Sequence, residues 1–333
     1  MMGKEELYVG VDLGGTNIQS GLVKSDGTIL ARDKRKTKAE GGDAVVVERI
    51  AEAVAKLVKG ADVDMGDVAA VGVGSPGAID DTKGIVLTSP NLRWNNFPLA
   101  EVLGKHLKPP VVVDNDVNVG AWGEYIAGAG RELDIRDMLA VFVGTGVGGG
   151  LILNGELYRG HHRTAGEIGH TVLHANGPLG RRTLENFASR TAVVNLLREL
   201  IAANHPSVLA ETAGPDLAQA RSKVLKQAVE QGDALSIEVI RNAARYVGIS
   251  IANVVTLLSL PAVVLGGGLT EALGEQFVEW VKEAYNEVVF PADLRQCQLV
   301  AGMLGDDAGL VGAALLARAR LGGMGGKEKK FAK

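Results

Sequence analysis

The sequence predicts an α/β protein of two lobes built on a duplicated strand–glycine turn–strand unit. Three observations lead there. The chain has 333 residues, long for one compact core and comfortable for two. Its 45 glycines collect where apolar runs end. One unusual pattern, a short apolar run, a glycine turn and a second apolar run closed by a tight hairpin, occurs twice, about half a lobe pair apart.

The first copy opens the chain. Leu7 to Val11 is apolar, Asp12-Leu13-Gly14-Gly15-Thr16 follows, and Ile18 to Val23 resumes. Asp26-Gly27 then separates this run from Thr28-Ile29-Leu30-Ala31, and Asp-Gly between apolar runs signals a hairpin. The second copy runs from Met138 to Val143, turns through Gly144-Thr145-Gly146-Val147-Gly148-Gly149-Gly150, and closes its hairpin at Asn154-Gly155. Between them, Val47, Ile50, Val54 and Leu57 have helical spacing, predicting a helix over 43–59. Val68 to Val73 reads as a strand ending in Gly74-Ser75-Pro76-Gly77. Val111 to Val113 is a buried strand running into Asp114-Asn115-Asp116, with a helix from Val117 to about Ile126. Later come a long core helix over 233–259, a strand from Ala262 to Leu265 ending in Gly266-Gly267-Gly268, and a helix over 307–320. The expected division is a small lobe over 1–117 with the helix 305–321 returning to it, a large lobe over 118–304, and a flexible tail over 322–333.

Composition narrows the function classes. Hydrophobic residues make up 46% and charged residues 22%, with a net charge of −4, so nothing draws the chain generally to nucleic acid or to an anionic membrane. No stretch approaches the roughly 20 apolar residues of a membrane helix, and Met1 to Glu6 lacks the apolar run of a signal peptide. Cys297 is the one cysteine, which excludes an intramolecular disulfide and fits a reducing compartment. A cytoplasmic protein is expected.

Glycine lets backbone N–H groups face a bound anion with no side chain in the way. Gly14-Gly15-Thr16 and Gly144-Thr145-Gly146 therefore read as phosphate cradles with threonine hydroxyls as added donors; the plainer reading is that they only close tight turns. A Walker loop is absent, and the hairpins argue against the helix that a dinucleotide fold needs after its glycines. Asp12, beside the first turn, suggests a Mg²⁺ held largely through water, or a turn cap. Asn115 and Asp116 follow a buried strand, where polar groups face a ligand crevice. Asp116 reads equally as a general base or as the cap of the following helix. Glu167 and His170, in Gly166-Glu167-Ile168-Gly169-His170, read as a grip on neighbouring hydroxyls or as a structural pair.

Together these motifs resemble the ROK family (repressors, open reading frames and sugar kinases), in its glucokinase branch. The matching pieces are Val9 to Asn17, Gly74 to Gly77, Ser89-Pro90-Asn91-Leu92, Asn115 to Asn118, Gly144 to Gly150, Gly166 to His170 and Leu265 to Gly268. The resemblance implies an actin-like (ribonuclease H-like) ATPase fold with a βββαβαβα-type core in each lobe and a cleft between them. It implies an ATP-dependent kinase acting on the 6-hydroxyl of glucose, with Asp116 as base. Gly77, Asn91, Asn115, Asp116, Glu167, His170 and Glu185 would hold the sugar. Asp12, Gly14, Gly15, Thr16, Asn17, Gly144, Thr145, Gly146, Gly148, Gly266, Gly267 and Gly268 would hold ATP, with Mg²⁺ at Asp12. A homodimer is expected, and neither nucleic acid nor membrane as partner. Other readings are a kinase for N-acetylglucosamine, N-acetylmannosamine, mannose or fructose, or a sugar-sensing repressor. A repressor would need a helix-turn-helix domain, for which no room is expected ahead of a first strand that begins by residue 7. The family's zinc motif, Cys-x-Cys-Gly-x-x-Gly-Cys-x-Glu, corresponds to Gly177-Pro178-Leu179-Gly180-Arg181-Arg182-Thr183-Leu184-Glu185, which keeps only the glutamate. No zinc is expected, and an ion pair of Arg181 or Arg182 is the candidate for ordering this loop.

Overall fold

A computed structural model of the protein describes residues 6–322; of the tail expected over 322–333, Gly322 ends the C-terminal helix and 323–333 lie outside the described residues. The chain divides into two compact units. Within the described residues the first comprises 6–128, 160–164 and 307–322, and the second 129–159 and 165–306.

The first unit holds β1 (Leu7–Leu13), β2 (Asn17–Lys24), β3 (Ile29–Lys36), β4 (Val68–Ser75), β5 (Ala78–Asp80), β6 (Ile85–Ser89), β7 (Trp94–Phe97) and β8 (Val111–Asn115). Five of these form a mixed sheet in the order β3-β2-β1-β4-β8, antiparallel from β3 to β1 and parallel from β1 to β8. The central strand β1 is apolar and nearly wholly buried. The edge strand β3 alternates and sets Arg32, Lys34 and Lys36 outward, which discourages pairing with another chain. The hairpin between β2 and β3 turns at Asp26-Gly27, where Gly27 has φ +94° and Asp26 Oδ1 accepts from Thr28 N at 2.8 Å. The Asp43–Gly60 helix buries Val46, Val47, Ile50, Val54 and Leu57 on the sheet. Each fully buried aliphatic chain of this kind contributes about 1.5–3 kcal/mol.

The second unit holds β9 (Met138–Val143), β10 (Val147–Leu153), β11 (Glu156–Tyr158), β12 (Ala262–Gly266) and β13 (Gln298–Ala301), in the order β11-β10-β9-β12-β13. β11, β10 and β9 are antiparallel; β9, β12 and β13 are parallel. Counting only the strands of each five-stranded sheet, both have the order 3-2-1-4-5, so the repeat seen in the sequence is a repeat of topology. The Asn154-Gly155 hairpin has positive φ at both positions, 56° and 82°, the geometry its residues favour. The Ala234–Leu258 helix crosses this sheet's core with Ile240, Val247 and Ile251 buried.

The Asp116–Ala127 helix, assigned to the second lobe by the sequence, belongs to the first unit. The reason is its packing on the C-terminal helix, Ala308–Gly322. A Cβ at Gly312 would stand 1.6 Å from the Val119 carbonyl oxygen, so only glycine admits this approach. On its other side the C-terminal helix meets the sheet: Cβ atoms at Gly10 and Gly72 would lie 1.7 and 1.9 Å from the carbonyl oxygens of Leu310 and Ala313. The short segment 160–164 is tied to the same unit by Arg163, which pairs with buried Asp81. Asp81 also pairs with Arg320 of the C-terminal helix.

Candidate active site

The first unit gathers its expected site residues at the C-terminal ends of its parallel strands, where ligands of open α/β sheets bind. Asp12 lies near the end of β1, in register with Gly74 of β4. Its carboxylate adjoins the first turn of the C-terminal helix: a Cβ on Gly309 would be 2.8 Å from Asp12 Cγ. The turn after β1 is closed by Gly14 N donating to Asn17 O at 2.9 Å, and Gly14 O accepts from the Thr37 hydroxyl at 2.6 Å. Thr16 is exposed, and its carbonyl accepts from Thr37 N at 2.9 Å. Gly15 faces Asn91, whose Cβ would lie 3.4 Å from a Cβ placed there.

Asn115 and Asp116 stand at the end of β8. The structure gives the helix cap to Asn115: its Oδ1 accepts from Val117 N at 2.9 Å and Asn118 N at 3.1 Å, while its Nδ2 donates to Gly77 O at 3.0 Å. One amide hydrogen of Asn115 is left for a ligand. Gly77 has φ +111° and would meet Thr88 O at 2.0 Å if it carried a Cβ, so this rim of the site is built of backbone. Asp116 is the first residue of the helix, half-buried, with its Oδ1 accepting from Val117 N at 2.9 Å. Its Cα lies 3.3 Å from a Cβ built on Gly74, and Gly74 is level with Asp12. The two carboxylates are thus brought to one end of one sheet.

In the second unit the hub is Val147, the first residue of β10. Its N–H donates to Glu185 Oε2 at 2.9 Å, and a Cβ on Gly169 would be 2.0 Å from its carbonyl oxygen. The Gly144–Gly146 turn and the glutamate–histidine motif therefore meet across one residue. Glu167 and His170 are exposed, with Oε2 and Nε2 4.0 Å apart. Glu185 crowds the turn itself, since a Cβ on Gly146 would lie 2.3 Å from its Oε2. Gly144 N donates to Gly146 O at 2.9 Å and Thr145 is exposed. Gly148 sits one step beyond the turn, paired with Phe142 inside the sheet. At the end of β12, Gly267 has φ +84° and lies against the Val143 backbone, and Gly268 begins a helix.

Three residues of this site had no part in the sequence reading. Arg190 Nη2 donates to Thr145 Oγ1 at 2.8 Å, and the Thr191 hydroxyl donates to Thr145 O at 2.7 Å. Asn186 Oδ1 accepts from Arg182 N, Thr183 N and the Thr183 hydroxyl at 3.1, 3.2 and 3.0 Å. For Arg190 and Thr191 the only local signal is the polar run Ser189-Arg190-Thr191 at the start of a helix just past Glu185; Asn186 has none.

The loop of the missing cysteines is ordered by ordinary bonds. Arg181 Nη2 pairs with Glu199 at 2.7 Å, Arg182 Nε donates to Gly177 O at 2.5 Å, and Leu173 N donates to Arg182 O at 2.8 Å. His174, Phe187 and Tyr246 stack with ring centroids 4.7–5.7 Å apart. Among the described residues no three His, Cys, Asp or Glu side chains stand close enough to hold a metal ion. A closed four-ligand zinc site does not fit this donor set. Also among them, no helix is long and apolar enough to cross a membrane.

The ROK family model matches residues 8–320. The chain belongs to the ROK family. It is 36% identical to a glucokinase of Thermotoga maritima over 321 residues, covering 95% of this chain and 98% of that one. It also resembles the crystal structure of a ROK family glucokinase from Streptomyces griseus in complex with glucose and AMPPNP, with a TM-score of 0.83 and 34% identity over 94% of this chain and 99% of that one. A ROK hexokinase from Thermus thermophilus matches with a TM-score of 0.76 and 31% identity, over 95% and 99% of the two chains. This ROK protein thus has the actin-like ATPase fold, with the family's motifs at the strand ends described above.

Proposed function

We propose that this ROK protein is an ATP-dependent glucokinase that phosphorylates the 6-hydroxyl of glucose. The observation that carries the reading is the near full-length similarity to glucokinases, supported by glycine turns at equivalent strand ends of both repeats. In this reading Asp116 takes the proton of the sugar hydroxyl, whose oxygen then bonds to the γ-phosphorus as ADP leaves. Sugar-binding roles are proposed for Gly77, Asn91 and Asn115 in the first unit and for Glu167, His170 and Glu185 in the second. Glu185 would also steady the second phosphate turn through Val147 N, which ties sugar and phosphate positions together. The glycine turns would offer backbone N–H groups to the phosphates, Gly14 to Asn17 from the first repeat and Gly144 to Gly146, with Gly148, from the second; Gly266 to Gly268 would lie by the adenosine.

A half-buried Asp12 at a strand end fits a Mg²⁺ ion that keeps most of its water, bound through one carboxylate and the nucleotide. The ion would supply charge neutralisation on the phosphates. Zinc is proposed to have no place here, since Arg182, Asn186 and the aromatic stack take over the ordering of the loop; one zinc per chain from metal-free buffers would overturn this. A cytoplasmic homodimer is the proposed working form.

Coupled assays of ADP release with and without glucose test the function. Glucose-dependent ADP release with glucose 6-phosphate as product is expected. Equal ATP consumption without sugar, or no turnover with any hexose, would sink the kinase reading.

A further inference from the structure

Arg190 is the first residue of the Arg190–Ala202 helix. A cation at that position opposes the helix dipole, whose N-terminal end is itself positive, and no acidic residue in the first turn relieves it. The side chain is half-buried, and its partners are neutral: Thr145 Oγ1 at 2.8 Å and Ser222 Oγ at 3.4 Å. A guanidinium has five N–H donors, so three remain unused. A half-buried cation with no counter-ion among the described residues, on the wrong end of a helix, is an electrostatic arrangement that an incoming anion would reverse in sign.

Where the guanidinium sits identifies the anion's surroundings. Nη2 reaches the Gly144–Gly146 turn through Thr145, and Nη1 lies 3.8 Å from a Cβ built on Gly268, in the turn after β12. Arg190 therefore bridges the two glycine turns of the second unit. It lines a cavity of about 680 Å³ with Arg221, Ser222, Gly268, Glu271 and Asp306. Glu230, Glu271 and Asp306 line this cavity together with the cations Arg221, Lys223 and Lys226, whereas Thr145, the partner of Nη2, adds a neutral hydroxyl beside the guanidinium. The Thr145 hydroxyl accepts from Arg190, so its own hydrogen is free to donate to the same anion.

We propose that Arg190 binds a phosphate of the donor nucleotide, acting with Thr145 from between the two glycine turns. This rests on the kinase reading and adds to it a side-chain cation that the backbone turns lack. Charge-assisted bonds of guanidinium to phosphate are the strong members of their class, so losing this one has a measurable effect.

The test is calorimetric titration of ADP and of a non-hydrolysable ATP analogue into the parent protein, Arg190→Met and Arg190→Lys, with steady-state kinetics beside it. Arg190→Met should bind nucleotide about tenfold or more weakly and raise KM for ATP by a similar factor. Arg190→Lys, which keeps the charge, should recover part of the loss. Glucose affinity and the nucleotide-free Tm should stay at parental values. A loop staple with no ligand role would instead lower Tm and leave the nucleotide Kd within twofold, and that result overturns the proposal. Should Arg190→Met fail to fold, Arg190→Gln keeps hydrogen bonding without charge and is judged by the same Kd criterion. A parent protein that neither binds nucleotide nor phosphorylates glucose defeats the kinase reading, whereas an active parent with an indifferent Arg190 defeats this inference alone.

Discussion

At the scale of single residues, Asp116 and Asn115 divide two duties that one side chain could have held. The sequence left Asp116 equally able to cap its helix or to act as a base. In the structure Asn115 is the cap residue, with both its oxygen and one amide hydrogen engaged, while Asp116 Oδ1 shares only the Val117 N–H with it. Asp116→Asn therefore isolates the chemistry. The amide oxygen can still accept from Val117 N and the neighbouring cap is untouched, so the fold and glucose binding should persist. Loss of a general base should lower kcat by about 10²–10⁴-fold with glucose Kd within a few-fold. A kcat within severalfold of the parent would move the base elsewhere. Asp116 was visible in the sequence because a buried strand announced it. Arg190 was not, because a polar run at a helix start looks like a solvated helix end until the chain folds Thr145 and Gly268 around it.

At the scale of elements, the strand–turn–strand repeats and long helices could be read directly. Apolar periodicity, Asp-Gly and Asn-Gly are local signals, and most element ends fell within one or two residues of expectation, as for the Ala234–Leu258 helix, whereas β3 runs to Lys36, past the apolar run that ends at Ala31, because its outer half alternates charged side chains. The antiparallel β5–β6–β7 sheet was missed: its strands are three to five residues long and mix polar with apolar side chains. The cap of the Ala234–Leu258 helix offers an element-level test. Asp233 would be raised by its burial, but hydrogen bonds from Ser236, Ser207 and Val208 outweigh this and hold its carboxyl below the ordinary range. A depressed folded-state value means that its stabilisation is present above the unfolded pKa, near 4, and fades as pH falls through the folded value. Asp233→Ala should cost about 0.5–2 kcal/mol at neutral pH. The stability gap between parent and variant should narrow below about pH 4; a gap unchanged down to pH 3 would remove the carboxylate from the cap.

Across the whole molecule, what escaped the sequence was long-range. The duplicated hairpins told of two sheets of one kind, but not that Gly10, Gly72 and Gly312 form one seam along the C-terminal helix. Glycines in strands and helices show no local purpose; theirs appears only when Leu310 O, Ala313 O and Val119 O stand where Cβ atoms would be. Gly312→Ala should force the Asp116–Ala127 and C-terminal helices apart at the cost of about 1–3 kcal/mol, lowering Tm. Because the helix beginning with Asp116 would shift with it, kcat should fall as well. An unchanged Tm would mean that the two helices are less closely packed than these distances require.

That same seam has a temporal side. Chains emerge N-terminus first, at about 5–20 residues per second. β1 and β4 are among the first strands made, yet the helix that covers Gly10 and Gly72 is among the last. Residues 129–306 are synthesised in between, which takes on the order of ten seconds or more. By the end of that interval the second unit has nearly all of its own sequence, whereas the first has waited throughout with one face of its sheet uncovered. The unit that starts first is completed last, so the nascent protein is most exposed to misassociation at the sheet that carries Asp12 and Asp116.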